Sequence, residues 1–256
     1  MLSEERRNEI VNYLEKHSTA TVQELVDVLD SSAATIRRDL SALHEDNRIV
    51  KVFGGATSLS FKEINAFEPS VAEKAVMNTE EKRLIAEYAA SLIRDDDFIY
   101  IDSGTTTLAL IDFIGSTKAS FVTNGIAHAQ RLIEKGLPTT IVGGIIKPVT
   151  EAVIGAHCAE ELSKFHFTKA FMGTNGISVK AGFSTPELEE ALVKTTAVKH
   201  SLDTYVLSDS SKFDSISPVS FAKLEDCILI TDKMPDKKYK DLTTIKIAKK
   251  EKGRNK

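Results

Sequence analysis

Ser32-Ala33-Ala34-Thr35-Ile36-Arg37-Arg38-Asp39-Leu40 is the stretch whose reading decides the fold of the first part of the chain. Ile36 and Leu40, with Leu43 beyond them, recur at helical spacing and must face a core. Ser32 precedes the helix as its cap. Working back, Val22, Leu25, Val26 and Leu29 mark the apolar face of a second helix. Thr21 and Glu24 stand three residues apart at its start, the spacing of a capping box. Asp30 and Ser31 break the chain between the two helices, which makes a helix-turn-helix unit. An earlier helix is marked by Ile10, Val11 and Leu14. Working forward, Arg48 to Phe53 is β-prone and stops at Gly54-Gly55, the pattern of a β-ribbon, or wing, which completes a winged helix-turn-helix DNA-binding domain over residues 3–58.

With Ile36, Leu40 and Leu43 turned inward, Thr35, Arg38 and Ser41 project away from the core and Arg37 flanks them. A DNA major groove accepts one helix and meets its first turns. Arginine there forks onto guanine or pairs with phosphate. Ser32 and the helix start suit a phosphate, and Arg48 and Lys51 on the wing suit the flanking backbone. A lone Arg-Arg pair is more often a solvated face; the surrounding helix-turn-helix and wing favour operator DNA as partner. The 256-residue chain has a net charge of −4, so any basic surface is local. Glu4, Glu5, Glu9 and Glu15 sit mostly on the first helix, away from this face. One winged helix offers little contact, so a homo-oligomer reading repeated half-sites is expected.

Residues 59–74, with Pro69, lack a period and read as a linker. From Thr79 the pattern changes. Ile85, Ala89, Leu92 and Ile93 mark a helix, and helical stretches lie near 105–114, 126–135, 156–164 and 186–199. Between them run short apolar segments: Phe98–Ile101, Phe121-Val122, Ile141-Val142, Ala170–Met172, Tyr205–Leu207 and Ile228–Ile230. Such alternation predicts an α/β domain, a parallel sheet covered on both faces, over residues 75–232. The Lys-rich residues 246–256 read as a frayed basic tail. No apolar run reaches the length of a membrane span and the start lacks a signal peptide, so no membrane partner is expected and the location is cytoplasmic. Cys158 and Cys227 read as two small buried thiols. The six histidines, His17, His44, His128, His157, His166 and His200, show no metal-site spacing and read as surface or packing residues.

In a parallel sheet the strand ends share one edge, where ligands bind. Strand 98–101 runs into Asp102-Ser103-Gly104-Thr105-Thr106-Thr107 and then a helix, a hydroxyl-rich turn suited to an anion. Other strands end in Thr123-Asn124, Gly143-Gly144 and Gly173-Thr174-Asn175-Gly176, while Asp209 and Lys212 follow the strand at 205. Lys147 and Lys212 are candidate positive charges, and Asp102, Glu187 and Asp209 candidate hydroxyl binders. Any one Gly-rich turn is as often a plain turn; several on one edge favour a site. No nucleotide-binding loop follows the first strand, so no cofactor and no metal are expected.

The string from Ser32 to Leu40, with Gly54-Gly55-Ala56, resembles the DeoR family of bacterial regulators. The loops at Asp102–Thr107, Thr123-Asn124-Gly125 and Gly173–Gly176 are similar to that family's sensor domain. Ala181-Gly182-Phe183-Ser184-Thr185-Pro186 and Ser211-Lys212-Phe213 resemble its fructose operon repressor branch. The resemblance implies a sensor resembling the ribose 5-phosphate isomerase/CoA-transferase-like fold. It also implies repression of a fructose operon, with a phosphorylated sugar, fructose 1-phosphate, as effector. Ala33 and Ala34 depart from the family's polar residues, and Phe53 from its wing histidine. The alternative is a sugar-phosphate isomerase with an added DNA-binding domain. Its proton transfer needs a carboxylate at the loop that here reads Gly173-Thr174-Asn175-Gly176, so no catalytic residue is assigned.

Overall fold

A computed structural model describes residues 3–17, 19–46, 48–52, 54–58 and 70–249. Phe53, positions 59–69 of the expected linker and positions 250–256 of the expected tail lie outside the described residues. The chain falls into two units, residues 1–63 and 64–256.

The first unit runs α1 (Ser3–His17), β1 (Thr19–Thr21), α2 (Val22–Leu29), α3 (Ala33–Glu45), β2 (Ile49–Val52) and β3 (Gly55–Ser58). The capping box forms: Glu24 N–H donates to Thr21 Oγ1 at 3.1 Å, and Thr21 N–H to the Glu24 carboxylate at 2.7 Å. Asp30 ends α2 in the left-handed region at φ 46, and Ser32 Oγ accepts from Thr35 N–H at 3.2 Å to start α3. Ile10, Leu14, Leu25, Leu29, Ile36, Leu40 and Leu43 are all buried, with Ala20, Ile49 and Ala56. The three apolar stripes therefore converge on one core. Asp39 is buried beside it and accepts from Arg6 Nε at 2.6 Å and Arg7 Nε at 3.2 Å, pinning α1 to α3.

The wing is an antiparallel sheet in the order β1-β3-β2. Strand β1 is too short to carry an alternation and was not expected. The glycine pair has two separate reasons. Gly54 turns the chain at φ 80. Gly55 passes so close to β1 that a Cβ would lie 2.1 Å from the Ala20 carbonyl oxygen.

The second unit begins with α4 (Val71–Val76) and α5 (Thr79–Ala90). Then follow β4 (Phe98–Ile101), α6 (Thr105–Phe113), β5 (Ser120–Thr123), α7 (Ile126–Glu134) and β6 (Thr139–Ile141). A hairpin of β7 (Ile145–Lys147) and β8 (Ala152–Ile154) leads to α8 (Ala156–Leu162) and β9 (Phe167–Gly173). The remainder is β10 (Gly176–Ser178), β11 (Gly182–Thr185), α9 (Leu188–Lys199), β12 (Ser201–Leu207), β13 (Val219–Ala222), β14 (Ile228–Thr231) and β15 (Thr244–Ile247). Seven strands form one sheet, β15-β14-β12-β9-β4-β5-β6, and every pair in it is parallel. One core cluster packs α5 and α6 on one side of the sheet, with Ile85, Ala86, Ala89, Leu110 and Ile111. Another holds Leu162, Ala191, Val193 and Ala197 of α8 and α9. From β4 the chain winds outward through β5 to β6, then returns to the other side of β4 at β9. The pair β4–β9 is thus the topological switch point.

The structure departs from the sequence reading in four places. The linker reading over 59–74 fails at its end, because α4 starts at Val71 behind a capping box of Ser70 and Glu73. The sheet does not stop at 232: β15 pairs with β14, places Lys246 and Ile247 in a strand, and is followed by buried Ala248. An alternating Thr-Ile-Lys-Ile edge strand reads in sequence as a polar, basic end. The small antiparallel sheet β10-β11-β13 was also missed. Leu92 and Ile93 lie beyond the end of α5 yet pack against the core as partly buried residues.

Candidate functional site

On the first unit, Arg37 and Arg38 are exposed, and Thr35 is half-buried at the start of α3. The Ser32 hydroxyl is engaged with Thr35 N–H and Oγ1. Ser41 Oγ donates to the Arg37 carbonyl and accepts from Lys51 Nζ, both at 2.9 Å, so the wing leans on α3 through Lys51. Arg48 donates to Asn8 Oδ1 at 2.8 Å. The exposed arginines are therefore the groups with the most freedom to reach a partner, while Ser41, Arg48 and Lys51 also brace the unit.

On the second unit, a cleft opens at the switch point. The sequence-predicted residues that line it are Asp102, Ser103, Gly104, Thr105 and Thr106 after β4, Gly173 and Asn175 after β9, and Asp209 and Lys212 after β12. Asp102 is buried, and its Oδ2 accepts from Gly173 N–H at 2.9 Å, tying the two strand ends together. Gly104 is not held at positive φ; its backbone is extended at φ −89. A Cβ there would lie 3.2 Å from Thr107 Oγ1, a tight contact, and 3.7 Å from Gly173 Cα, an ordinary one.

The loop is held from behind. Ser103 N–H donates to Asn124 Oδ1 at 3.1 Å, and Gly104 N–H to Thr107 Oγ1 at 2.9 Å. Asn124 Oδ1 also accepts from Tyr100 Oη at 2.9 Å, and its Nδ2 donates to the Val153 carbonyl at 2.9 Å. His128 is buried, and burial drives its pKa down to about 4 against the opposing Gly104 carbonyl and Asp102. Its neutral ring sets Nε2 3.0 Å from the Gly104 oxygen as donor. Gly104 provides no side-chain cap to α6, and Thr105 and Thr106 of its first turn line the cleft.

The remaining predicted residues do not line the cleft. Thr107, Thr123 and Asn124 are buried supports; Thr123 Oγ1 accepts from Gly125 N–H at 3.1 Å. Gly143 and Gly144 are exposed, with Gly143 N–H on Glu161 at 3.0 Å. Gly176 lies in β10, where a Cβ would meet the Ser215 carbonyl oxygen at 2.5 Å. Lys147 is buried and pairs with Glu187 at 3.2 Å and Glu190 at 3.6 Å.

Sequence reasoning missed Asn78, Lys82, Glu190 and Lys194, all of which line the cleft. Burial pushes the Lys82 ammonium below its ordinary pKa; Asp209 opposes this, and Lys212 and Lys74 add to it. Asn78 Nδ2 donates to Asp209 Oδ1 at 3.0 Å. Burial alone would also strip Lys194, but Asp102 and Glu190 reverse the effect and hold its pKa above the ordinary value. A signal was present: Lys82 is in phase with Ile85, Ala86 and Ala89, and Lys194 with Ala191 and Ala197. A lysine on an apolar helix stripe is a buried charge that needs partners. Cys158 and Cys227 are buried free thiols, both pushed by burial up to about 12. Among the described residues no helix is long and apolar enough to cross a membrane.

Two family models match the chain: the DeoR-like helix-turn-helix domain over residues 6–62 and the DeoR C terminal sensor domain over residues 77–233. The uncharacterized HTH-type transcriptional regulator FruR of Bacillus subtilis is 42% identical over 97% of this chain and 100% of its own length. The lactose phosphotransferase system repressor of Staphylococcus epidermidis is 35% identical over 87% of this chain and 88% of its own. Among solved structures, ribose 5-phosphate isomerase A of Methanocaldococcus jannaschii overlaps 53% of this chain and 55% of that one, at 15% identity and a TM-score of 0.41.

Proposed function

The chain belongs to the DeoR family of DNA-binding transcriptional regulators, and from that premise we propose that it represses a fructose uptake or utilisation operon until a sugar phosphate, fructose 1-phosphate, enters the sensor cleft. It acts as a regulator, not an enzyme, as its relatives do. The observation that carries the effector reading is the cleft at the β4–β9 switch point. Thr105 and Thr106 at the start of α6 and the buried Lys82 line it together, with Lys212 and Lys74. Amides at a helix start and clustered ammonium groups suit a phosphate. Fructose is favoured by the likeness of Ala181–Pro186 and Ser211–Phe213 to the fructose operon branch.

Coupling to DNA runs through α4. Val71 and Lys74 of α4, and Met77 just after it, line the cleft, and positions 59–69 join α4 to the wing. A ligand that binds one placement of α4 better than another shifts the equilibrium by that difference. DNA binding takes a homo-oligomer in the cytoplasm. Exposed Ile141 on edge strand β6, with Ile145 and Ile146 on β7, supports the sensor unit as the interface. Calorimetry on the full chain tests the effector: fructose 1-phosphate releases binding heat, and free fructose, lacking the anion, does not. No heat with fructose 1-phosphate would remove it as effector.

A further inference from the structure

Helix α4 is six residues long and has no buried residue; its Val76 is 77% exposed. A helix this short has no stability of its own in water and depends on packing. Polar contacts at its two ends hold it instead. At the start, Val71 N–H donates to the Val149 carbonyl at 3.4 Å. At the end, the buried Lys82 ammonium donates to the Lys74 carbonyl, which also accepts from Met77 N–H at 3.3 Å.

The chain turns from α4 into α5 at Asn78, which sits in the left-handed region at φ 50. A residue other than glycine stays there only where its surroundings fix it. Here its Nδ2 donates to Asp209 Oδ1 at 3.0 Å and to Ser211 Oγ at 3.3 Å. Asp209 lines the cleft, so the cleft wall itself sets the turn.

Two spaces flank α4. Val71, Lys74 and Met77 line the cleft. Val71 and Ala75 also line a groove of about 460 Å³, whose other wall includes Leu108 and Ala109 of α6 and Ala127 of α7. The helix therefore has room to move, and a ligand that fills the cleft touches it.

Resting on the reading of this cleft as a sugar-phosphate site, we propose that α4 is a lid, hinged at Asn78 and latched through Lys82, which a bound ligand orders by supplying the packing it lacks. Only the closed placement adds Val71, Lys74 and Met77 to the wall around the ligand. A ligand in the cleft binds that placement better than an open one and shifts α4 toward it.

The test is amide hydrogen exchange on the full chain, with and without fructose 1-phosphate. At a ligand concentration of about 100 times Kd, exchange that requires the lid to open and the ligand to leave slows by up to about 100-fold. The expected result is slowing of about tenfold or more in residues 72–77, together with protection of Ser103–Thr107. Protection of that loop with α4 unchanged or faster overturns the lid and leaves the effector reading standing. No change in either segment overturns both readings together. Without ligand, Lys82→Met is expected to speed exchange in α4 by about tenfold, the scale of one hydrogen bond from a charged donor, while the core amides of α5 stay as in wild type. Should that variant fold poorly, Asn78→Gly keeps the positive φ, removes the tie to Asp209 and is expected to act in the same direction. Unchanged α4 exchange in the folded variants overturns the latch and hinge.

Discussion

The Lys194 ammonium on α9 lies 2.5 Å from Asp102 Oδ2 at the end of β4, and both residues are buried. The pair closes the floor of the cleft across the sheet's switch point. Removing one partner of such a pair strands a buried charge. Lys194→Met is therefore expected to destabilise the second unit by about 3–5 kcal/mol, whereas Lys194→Met with Asp102→Leu recovers much of the loss. Urea unfolding of the three proteins measures it. A single variant within about 1 kcal/mol of wild type, the range of an exposed pair, would contradict the pair's role.

Arg37 and Arg38 are exposed on α3, while Asp39 beside them is buried against Arg6 and Arg7. Arg37→Ala and Arg38→Ala should each weaken operator binding by roughly 1–3 kcal/mol at fixed salt and leave the melting temperature unchanged. Asp39→Ala should instead lower stability by roughly 1.5–3 kcal/mol, the scale of hydrogen bonds to charged groups. Gel shift and thermal melts separate the two. Wild-type affinity in both arginine variants would remove α3 as the reading helix.

His128 supports the Gly104 loop as a neutral ring, its pKa driven by burial from 6.5 to about 4. Between those values the unfolded chain binds the proton and the folded chain does not, so stability rises with pH across that window. The contribution is complete above pH 6.5 and is lost by pH 4, a change of roughly 3 kcal/mol. His128→Asn should show a flatter acid limb in urea midpoints between pH 4.5 and 6.5. Parallel limbs in the two proteins would mean that the ring titrates normally.

Ile145 and Ile146 on β7 are exposed, near Ile141 on the open edge of the sheet. If the sensor unit carries the interface, Ile145→Asp with Ile146→Asp should yield monomers that bind operator weakly. Light scattering at micromolar concentration reads the mass. An unchanged oligomer in the variant moves the interface elsewhere, and a monomeric wild type, with and without DNA, ends the assembly proposal.

The helix-turn-helix was legible because each of its helices shows its core stripe and its cap within a few residues: Thr21 with Glu24, Ser32 with Thr35, Ile36 with Leu40. The central strands were legible as apolar runs between helices. Strand β15 was not, because an edge strand keeps lysine on its open side. The loop after β4 was legible from its own residues, but the charges facing it were not. Lys82 and Lys194 reach the cleft from helices far along the chain, and only the fold shows that Lys194 meets Asp102. The place of Asn124 was not legible either, because an amide after a strand serves equally to face a ligand or to hold a neighbouring loop, as it does here for Ser103.

Operator release is the most direct measurement. Full-length wild type and Gly104→Val are bound to operator DNA, and fructose 1-phosphate is titrated in while complex is followed by gel shift. A valine at 104 projects toward Thr107 Oγ1, Gly173 Cα and Asp102 Oδ2, filling space where these residues line the cleft. The account predicts that fructose 1-phosphate frees the operator from wild type, while Gly104→Val binds DNA as tightly but holds it throughout. Retention of DNA by wild type at every concentration, or equal release from the variant, would contradict it.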